Sequence, residues 1–596
     1  MSQCSPLVPK QGGGGGRHPG LSQCARSVCL ERLLGRVPAW LPWPACLPSF
    51  LRPFLALDPP DRPGRSQPGP SSLASQALWF PVLPVLPSLA MAWPGSASLL
   101  GTFFLLSSSS LLLLQTSATT PLRRPPARIG VIGAGIGGSS AAYFLRQKFG
   151  KDVPIDVFER GQVGGRLATI DLEGKGYEAG GTVIHPLNLH MKHFVKELGL
   201  SVVQGHGGLL GIYNGEELVF EESGWTIWNF LKLLWRYGLN AIRKSMWVEE
   251  TLDKFMRVYR YQAHGYAFSS NVALLHALGG AELVQTWNQT MEESMRKAGF
   301  SQTFIHEMAA PIMRYNYGQG VGINGFVGVV AFTGVDKGLW SVEGGNQRVC
   351  SGLLQASKTH LIPGTVTSVE ETTRPRGRSG ETVKLYEVTY ESTSGVTSSS
   401  LYDIVVIAAP LHREMANISF RNFHPPVPEF SKPYEHVVST FVHGNINSSL
   451  FGYPDPSQLQ LNDIFTTEDP KAFVYSISIV PPVDNDADAV ASTPVWKMFS
   501  ARPLTKAQLD VLFSSYDSVE SKAWLAYPHY SPPEQCPPLV IHDHVYYVNS
   551  MEWVASAMEM GAISAKNIAL LAHHRWYERT DKIDQEDLHE KLKTEL

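Results

Sequence analysis

Cysteine is scarce in this chain of 596 residues, and most of it lies near the start. There are six cysteines; four precede residue 90, which leaves Cys350 and Cys536 for the rest of the chain. Two cysteines cannot build a disulfide scaffold, and they form either one bridge or two free thiols. No group of residues has the spacing of metal ligands. The sequence therefore excludes a disulfide-rich domain and predicts no metal site.

Charge is also scarce, in both signs. Charged residues make up 17% of the chain and the formal net charge is −3, which argues against a nucleic-acid partner. Aromatic residues make up 10%, so we expect an apolar interior or an apolar binding surface. A chain of this length is too long for one hydrophobic core, and two domains that share a cleft are expected.

Long apolar runs are absent with one exception, residues 99–114. Residues 1–90 show neither helix nor strand periodicity and are predicted to be an unstructured upstream extension. The apolar run and the small residues after it have the layout of a secretory signal peptide, predicted at 91–120, although a positively charged start is missing. The hypothesis is that translation starts at Met91. If it starts at Met1, the same run is an internal segment that would act as an anchor.

Three Asn-x-Ser/Thr sequons support a luminal protein. They begin at Asn288, Asn417 and Asn447, and we predict glycosylation at these asparagines.

The chain is organised around a glycine-rich turn at residues 128–138. A β-branched run leads into Gly133-x-Gly135-x-x-Gly138, and an Ala-rich helical segment follows. The first glycine permits the turn, the second admits a pyrophosphate, and the third allows close packing of helix and strand. The helix start, including Ile136, offers free N–H groups and a positive dipole end. This pattern predicts a dinucleotide-binding strand, turn and helix.

A second strand, predicted at 155–159, ends in Glu159, about 20 residues after the glycines. A carboxylate there is placed to accept hydrogen bonds from ribose hydroxyls and would repel a 2′-phosphate. Gly164-Gly165-Arg166 follows directly and resembles the second glycine motif of the flavin amine oxidase superfamily. An extended flavin pyrophosphate needs the two glycines for approach and Arg166 for neutralisation. The predicted cofactor is therefore FAD.

Further segments of the chain complete this prediction. The superfamily resemblance implies that Val366 pairs its backbone with adenine. A buried parallel strand at 402–410 ends in small residues, among them Ala409, which again lets a cofactor approach. Near the C-terminus a strand and a short loop precede an Ala- and Gly-rich helix, where the candidate residues are Glu552, Ala557 and Met558. The resemblance implies that backbone N–H groups at this helix start stabilise the negative charge of reduced flavin.

The glycine-containing stretch 177–191 carries two histidines. In flavin oxidases of this type the equivalent stretch passes near the isoalloxazine ring, so His185 is a weak catalytic candidate beside the flavin. The alternative interpretation of His185 is a structural turn histidine. His190 is interpreted as a surface residue of the helix predicted at 188–198.

Residues 225–266 are rich in aromatic side chains. Trp228, Leu231, Leu234 and Trp235 have helical spacing and form one apolar face. The face is interpreted either as part of a buried helical core or as a lipid-substrate channel or membrane-surface patch.

From about residue 127 to 596 the chain resembles the prenylcysteine oxidase family. The resemblance is carried by the glycine motifs above, by Val-Ile-His185-Pro-Leu-Asn-Leu-His190-Met, by Val-Glu-Gly-Gly-Asn346 and by Lys-Leu-Lys-Thr-Glu-Leu596. It implies a lysosomal FAD-dependent thioether oxidase that converts farnesyl- or geranylgeranyl-cysteine, O2 and water to cysteine, a prenyl aldehyde and hydrogen peroxide. The stretch 178–185 resembles the oxidases more than a related oxidase-like branch. A peripheral association with a membrane or lipoprotein is a further expectation.

Two alternatives remain open. One is a flavin amine or protoporphyrinogen-type oxidase with the same fold. The other is a non-catalytic prenyl-binding protein like the Rab escort proteins, against which Glu159, the second glycine motif and the secretory leader argue.

The expected fold is α/β, of the glutathione-reductase or amine-oxidase type. An FAD-binding Rossmann-like domain (126–200, 340–415 and 540–575) is interleaved with an α+β substrate domain (201–339 and 416–539), and 576–596 form a C-terminal tail.

Overall fold

The computed structural model describes residues 123–593 apart from 206, 377–380, 431 and 485–492. The predicted extension (1–90), the predicted signal peptide (91–120) and the last three residues therefore lie outside the described residues. Within that part of the chain the strands belong to two large sheets and two short ribbons, β3–β4 and β5–β8.

A nine-stranded sheet contains the predicted glycine-rich turn. Its strands are ordered β11-β10-β9-β2-β1-β12-β20-β19, with β13 beside β9. The five central strands, β9 to β20 in that order, run parallel. Central strands such as Ile-Gly-Val-Ile and Ile-Val-Val-Ile are buried on both faces, as expected for parallel strands covered by helices. The bounds are β1 Ile129–Ile132, β2 Ile155–Glu159, β9 His360–Arg376, β10 Glu381–Ser392, β11 Thr397–Tyr402, β12 Ile404–Ile407, β13 Ser419–Arg421, β19 Val540–His542 and β20 Val545–Tyr547.

A seven-stranded sheet is built from other parts of the chain. Its order is β18-β14-β17-β16-β15-β6-β7, and all neighbours are antiparallel except β15 and β6. The bounds are β6 Leu209–Tyr213, β7 Leu218–Glu221, β14 Tyr434–Ile446, β15 Leu461–Thr466, β16 Ser476–Ile479, β17 Val495–Ser500 and β18 Phe513–Pro528. The ribbons are β3 Thr169–Leu172 with β4 Lys175–Glu178, and β5 Val202–Gln204 with β8 Trp340–Val342. These strands alternate apolar and polar residues only in part, so the sequence did not show which strands pair with one another.

Helices cover the sheets and form much of the apolar core. They are α1 Ile136–Phe149, α2 Leu189–Glu197, α3 Thr226–Tyr237, α4 Asn240–Ala263, α5 Asn271–Asn288, α6 Met291–Lys297, α7 Gln302–Phe304, α8 Ala310–Tyr317, α9 Gly325–Thr333, α10 Gln347–Ala356, α11 Lys506–Leu512, α12 Met558–Trp576 and α13 Leu588–Lys593. A π-helical turn, Ile305–Ala309, joins α7 to α8. Most residues of α12 are buried, because this helix packs along α1 beneath the nine-stranded sheet.

The structure decides between the two interpretations of the α3 face and corrects the prediction for His190. The apolar face of α3 does not belong to a buried core, since Trp228, Leu231, Leu234 and Trp235 are all exposed, which leaves the surface interpretation. His190, predicted on a helix surface, is buried, because α2 turns that side chain toward Gln262 of α4 and Phe144 of α1. Helical spacing shows which residues share a face but not whether another element covers it.

None of the helices that the structure describes is long and apolar enough to cross a bilayer. The same residues contain no cluster of side chains that could hold a metal ion. Cys350 and Cys536 are free thiols, and burial raises the pKa of each to about 12.

Candidate active site

The three glycines of the turn between β1 and α1 have different physical roles. Gly133 has φ +104°, and a Cβ on Gly138 would lie 1.8 Å from the Gly133 carbonyl oxygen. These two positions need glycine for the fold itself. At Gly135 the nearest atom to an added Cβ is the Gly164 oxygen at 3.6 Å, an ordinary contact. A Cβ at Gly135 would therefore make only ordinary contacts with the second glycine turn, so the fold itself does not require glycine at this position.

Two helix N-termini meet at this turn. Helix α1 begins at Ile136 and α12 at Met558, and neither Gly135 nor Ala557 caps its helix with a side chain. A Cβ on Gly561 would lie 3.7 Å from the backbone of Gly137, so the first turns of the two helices touch. Uncapped N–H groups and the dipoles of both helices thus make one region of positive potential. Such a region suits an anionic ligand.

The acidic residue in the first turn of α12 does not neutralise this region. The Glu559 carboxylate accepts hydrogen bonds from the N–H groups of His190 (2.7 Å) and Met191 (2.9 Å) and from the Tyr259 hydroxyl (2.8 Å). It therefore stabilises the start of α2. Burial raises the pKa of Glu559 to about 7.

The end of β2 holds Glu159 beside the glycine-rich turn. One carboxylate oxygen accepts the Ala134 N–H and the other accepts the Gly161 N–H, both at 2.8 Å. Strand β9 runs parallel to β2 so that Pro363 lies beside Glu159, and Val366 follows three residues further along the same strand. Ala409 lies where β12 ends, and its nitrogen is 3.2 Å from a Cβ built on Gly133. The predicted ribose, adenine and pyrophosphate contacts thus fall at one edge of the sheet, and their roles stay predictions.

The second glycine motif lies directly against the first. Gly164 donates to the Ala134 carbonyl at 3.0 Å, and Gly135 and Gly164 form a parallel bridge. Gly164 and Gly165 have φ +125° and +60°, conformations that other residues rarely adopt. The chain therefore needs glycine here to bring the two turns together.

Arg166 already has an acidic partner. Its guanidinium forms an ion pair with Glu552 and donates to the Ala526 carbonyl at 2.7 Å. Burial alone would lower the pKa of Arg166, but Glu552 holds it above its ordinary value. Two of the predicted cofactor residues therefore form a pair, which the sequence did not indicate. A phosphate near Arg166 would therefore compete with Glu552 for the positive charge of the Arg166 guanidinium.

A glycine loop at residues 179–182 lies between the second glycine motif and the start of α12. Gly181 donates to the Arg166 carbonyl at 3.2 Å, and a Cβ on Gly181 would lie 3.8 Å from the Met558 side chain. Asn346, which is fully buried, fixes this loop: its amide donates to the Gly181 carbonyl (2.9 Å) and the Thr182 carbonyl (2.8 Å). Its own backbone N–H donates to the Glu178 carboxylate at 2.6 Å. Asn346 belongs to the Gly-Gly-Asn motif, but the motif alone did not indicate that Asn346 fixes the glycine loop.

Lys497 on β17 reaches the other side of the same loop. Its ammonium donates to the Glu178 carbonyl and to the Thr182 hydroxyl, both at 2.8 Å. Burial lowers the pKa of Lys497 to about 8, although Glu178 opposes the shift. Burial raises the pKa of Glu178 to about 7, and one of its oxygens has no hydrogen-bond partner among the described residues. Sequence reasoning missed Lys497; the only signal is a lysine inside the otherwise apolar run Val-Trp-Lys-Met-Phe.

Aromatic rings form a wall next to Lys497. The Phe499 ring lies 4.8 Å from the ammonium nitrogen. Tyr315 on α8 stacks on Phe465 with ring centroids 4.2 Å apart and meets Phe499 at 6.4 Å. Two residues along α8, the Tyr317 hydroxyl donates to the Ser556 carbonyl at 3.1 Å, just before α12. These contacts place aromatic side chains beside Lys497 and connect α8 to the start of α12.

His185 is engaged in the turn where the glycine loop ends. Its Nδ1 accepts the Leu187 N–H at 3.1 Å, and its Nε2 lies 3.6 Å from the Asp336 carboxylate. This geometry supports the turn interpretation of the two that the sequence left open. His190 has a buried ring whose Nε2 lies 3.0 Å from the Gln262 side-chain oxygen, and burial lowers its pKa to about 4.

The three sequon asparagines differ in accessibility. Asn417 is exposed, whereas Asn288 and Asn447 are half-buried. The Asn447 amide donates to the Val511 carbonyl at 3.1 Å.

Comparisons with known proteins agree with this architecture. Residues 220–585 match the family model for prenylcysteine lyase, and residues 131–198 match a model for an NAD(P)-binding Rossmann-like domain. Of the solved structures, a cyclohexylamine oxidase from Brevibacterium oxydans is similar with a TM-score of 0.50 and 16% identity, covering 76% of this chain and 99% of its own. This likeness confirms the predicted α/β fold of the amine-oxidase type.

Sequence relatives are much closer. The chain is 58% identical to human prenylcysteine oxidase 1 over 478 residues, which are 80% of this chain and 94% of the relative. It is 45% identical to human prenylcysteine oxidase 1-like over 478 residues, 79% of this chain and 95% of that protein. The chain belongs to the prenylcysteine oxidase family.

Proposed function

We propose that this protein is an FAD-dependent oxidase that cleaves the thioether of prenylcysteines. The reaction converts farnesyl- or geranylgeranyl-cysteine, water and O2 to cysteine, a prenyl aldehyde and hydrogen peroxide. The observation that carries the proposal is that two uncapped helix starts and two glycine turns lie directly against one another. The family membership supports the choice of a prenylcysteine as the substrate.

The residues that would hold FAD fit an extended dinucleotide. Glu159 would accept hydrogen bonds from the ribose, and the N–H groups at the starts of α1 and α12 would face the pyrophosphate and the flavin ring. Glycine at position 135 is not required by the fold, which fits a position where a pyrophosphate approaches the bare backbone. The uncompensated positive potential of the two helix starts calls for an anion of this kind.

When bound, FAD supplies the two-electron acceptor for the substrate hydride and passes the electrons on to O2. The prenyl carbon C1 lies between sulfur and an alkene, so the carbon left after hydride loss is stabilised by both. Water adds to that carbon, and the resulting hemithioacetal collapses to the thiol of cysteine and an aldehyde. Hydride loss from C1 therefore requires no strong general base.

The protein's own side chains would position the substrate and exclude water from it. Phe499, Tyr315 and Phe465 offer rings against which a prenyl chain would pack and exclude water. Asn346 and Lys497 act as positioning residues, since they hold the glycine loop against the start of α12. The backbone N–H groups at the start of α12, including that of Met558, would stabilise negative charge at the edge of the flavin ring.

The compartment is part of the same proposal. A leader at 91–120, cleaved on entry to the secretory pathway, and glycans at the three sequons would place the enzyme in the lysosome, where prenylated proteins are degraded. Glycosidase shifts and co-localisation with lysosomal markers in cells that express the full chain test this part. An unglycosylated cytosolic protein would contradict it.

The first test of the catalytic proposal is the absorption spectrum of the purified protein. The full chain, purified from mammalian cells, is expected to show flavin absorption bands and to release FAD on denaturation. Farnesylcysteine should then yield equal amounts of peroxide, cysteine and farnesal, whereas cyclohexylamine and protoporphyrinogen should yield none. A colourless protein that takes up no FAD contradicts the cofactor; a yellow protein that oxidises only amines contradicts the substrate. Binding of farnesylcysteine without turnover identifies a non-catalytic prenyl-binding protein.

A further inference from the structure

Helix α3 is apolar on two opposite sides, although one of them faces outward. Tyr237 is buried in the helical core, and Leu233 packs against that core. With 3.6 residues per turn, the other side of the helix carries five large apolar side chains in one arc. These are Ile227, Trp228, Leu231, Leu234 and Trp235, and all five are exposed. A helix that is apolar all round is normally covered on every side.

The exposed arc continues at both ends of α3. Trp225 precedes the helix and is 79% exposed, Trp235 is 90% exposed, and Leu239 follows the helix at 62%. One turn and more into α4, Met246 is 56% exposed. We define these residues together with the five on α3 as the α3 ridge. Contiguous exposed apolar surface of this kind marks an interaction site on a folded protein.

The charged residues of the segment that forms the α3 ridge have a single sign. From residue 223 to 248 the sequence contains no aspartate or glutamate, and it contains Lys232, Arg236, Arg243 and Lys244. Lys232 and Arg236 flank one border of the ridge, at the 3.6-residue period of α3.

Most of this positive charge is not neutralised. Arg236 alone pairs with a carboxylate, Glu307, at 2.7 and 3.0 Å. Lys232 donates to the Glu221 carbonyl, and the Lys244 ammonium lies 5.4 Å from the Phe332 ring. Within the part of the chain that the structure describes, no carboxylate pairs with Lys232, Arg243 or Lys244. Arg243 donates to the Gly299 carbonyl, a neutral group, so the positive charge of these three residues is not balanced by an acidic partner.

We propose that the α3 ridge docks this protein onto anionic phospholipid bilayers. Helix α3 would lie in the plane of the membrane interface, with the tryptophans at headgroup depth and the leucines and Ile227 among the first acyl carbons. The cations beside the ridge face the lipid phosphates. The surface is one-sided and shallow, so binding is peripheral and sensitive to ionic strength.

The chemistry of the ridge favours a lipid surface over a second protein. Here the central side chains are tryptophan, leucine and isoleucine, with lysine and arginine at the border, which is the composition of interfacial helices. Docking is independent of the oxidase activity, so the two proposals fail separately.

Vesicle co-sedimentation of the purified full chain tests the docking. Vesicles of phosphatidylcholine with about one third phosphatidylserine should pull down the protein; pure phosphatidylcholine vesicles or raised salt should pull down much less. Lipids brominated near the headgroup should quench the tryptophan fluorescence.

Two charge-introducing variants make the test specific. Trp235→Glu changes an almost fully exposed side chain, so the fold should survive, and partitioning should fall about tenfold or more. Val511→Glu on α11 introduces the same charge at another exposed apolar position (46% exposed) and should bind like the native chain. Lys244→Glu should weaken binding to anionic vesicles and leave the weak binding to neutral vesicles unchanged.

Three outcomes would overturn the docking proposal. The native chain does not sediment with anionic vesicles; Trp235→Glu binds as tightly as Val511→Glu; or the native chain is a dimer in solution that Trp235→Glu converts to a monomer while neither form binds vesicles. The last outcome would assign the ridge to a second copy of the chain. Circular dichroism and the melting temperature of each variant confirm that the fold is intact.

Discussion

The nine-stranded and seven-stranded sheets contribute to the same site in different ways. At the edge of the nine-stranded sheet the backbone forms the site: Gly133, Gly135 and Gly138 shape a turn, and helix α1 presents its N–H groups. On the seven-stranded sheet, side chains form the site: Lys497 and Phe499 project from β17 toward the glycine loop. The first region suits a phosphate-bearing cofactor, and the second suits an apolar substrate.

This difference explains why substitutions in the two regions should have different consequences. A backbone site tolerates no added atoms, because a phosphate must approach the main chain closely. A site formed by side chains can lose one aromatic ring and still bind its substrate, although more weakly, because apolar contacts are many and individually small. Variants of the first region should lose the flavin, and variants of the second should keep the flavin and lose substrate affinity.

The largest effect is expected at the tightest glycine. In Gly138→Ala the new methyl would lie 1.8 Å from the Gly133 carbonyl, so β1 and α1 must separate at a cost on the order of 4 kcal/mol. We expect little soluble protein and no flavin, measured by yield, melting temperature and absorption. Gly161→Ala is the matched control, since its added Cβ meets only the Glu159 carboxylate at 3.8 Å. A stable, yellow Gly138→Ala protein would contradict the packing argument.

Gly135→Ala separates the cofactor from the fold. Its added methyl makes only an ordinary contact at 3.6 Å, so the melting temperature of the apoprotein should hardly change. The methyl occupies the space that we assign to the pyrophosphate, and FAD affinity should fall by at least about tenfold, equivalent to 1.4 kcal/mol. Titration of the apoprotein with FAD measures the change. Glu159→Ala should also lose flavin, because the ribose would lose its charged acceptor.

Phe499→Ala should keep the flavin and weaken substrate binding. Loss of about 1.5 kcal/mol of apolar contact predicts a KM for farnesylcysteine about tenfold higher. A cysteine thioether with only one isoprene unit should be affected less, since it reaches fewer of the rings. Equal effects on both substrates would indicate a purely structural role for Phe499.

Lys497 should make stability depend on pH in a defined window. Its pKa is lowered from 10.5 in the unfolded chain to about 8, so between these values the unfolded state binds more protons than the folded state. Unfolding free energy therefore rises with pH across this window. The melting temperature of Lys497→Met minus that of the native chain should fall as pH increases from 7 to 10. A difference that stays constant would mean that the ammonium is not desolvated.

The smallest effect is expected at His185. Its ring is held by Leu187 and lies near Asp336 in a turn, so His185→Ala should slow turnover less than about tenfold with the flavin retained. Full FAD content with no activity would show that His185 acts at the reaction centre.

Much of the nine-stranded sheet could be predicted because its signals are local. β2 is found at the residues that the sequence indicated, Ile155–Glu159, and the glycine turn leads into α1 as expected. Both depend on neighbours in the chain: buried parallel strands are continuous apolar runs, and a phosphate-binding turn needs glycine at fixed spacing.

The burial of α3, His190 and Lys497 could not be predicted in the same way. Helical spacing identified the apolar face of α3, but whether another element covers that face depends on chain folded elsewhere. Lys497 joins the glycine loop through contacts with Glu178 and Thr182, more than three hundred residues away. A lone lysine in a strand has no local pattern that reveals such a partner.

By itself the sequence determined the glycine turns and the family, because glycine spacing and the ends of strands are properties of consecutive residues. Only the tertiary structure decided that Arg166 pairs with Glu552, that Asn346 and Lys497 clamp the glycine loop, and that the α3 ridge faces outward. The first two are contacts between residues far apart in the chain, whose energies depend on burial of both partners, and the third depends on which distant elements leave α3 uncovered.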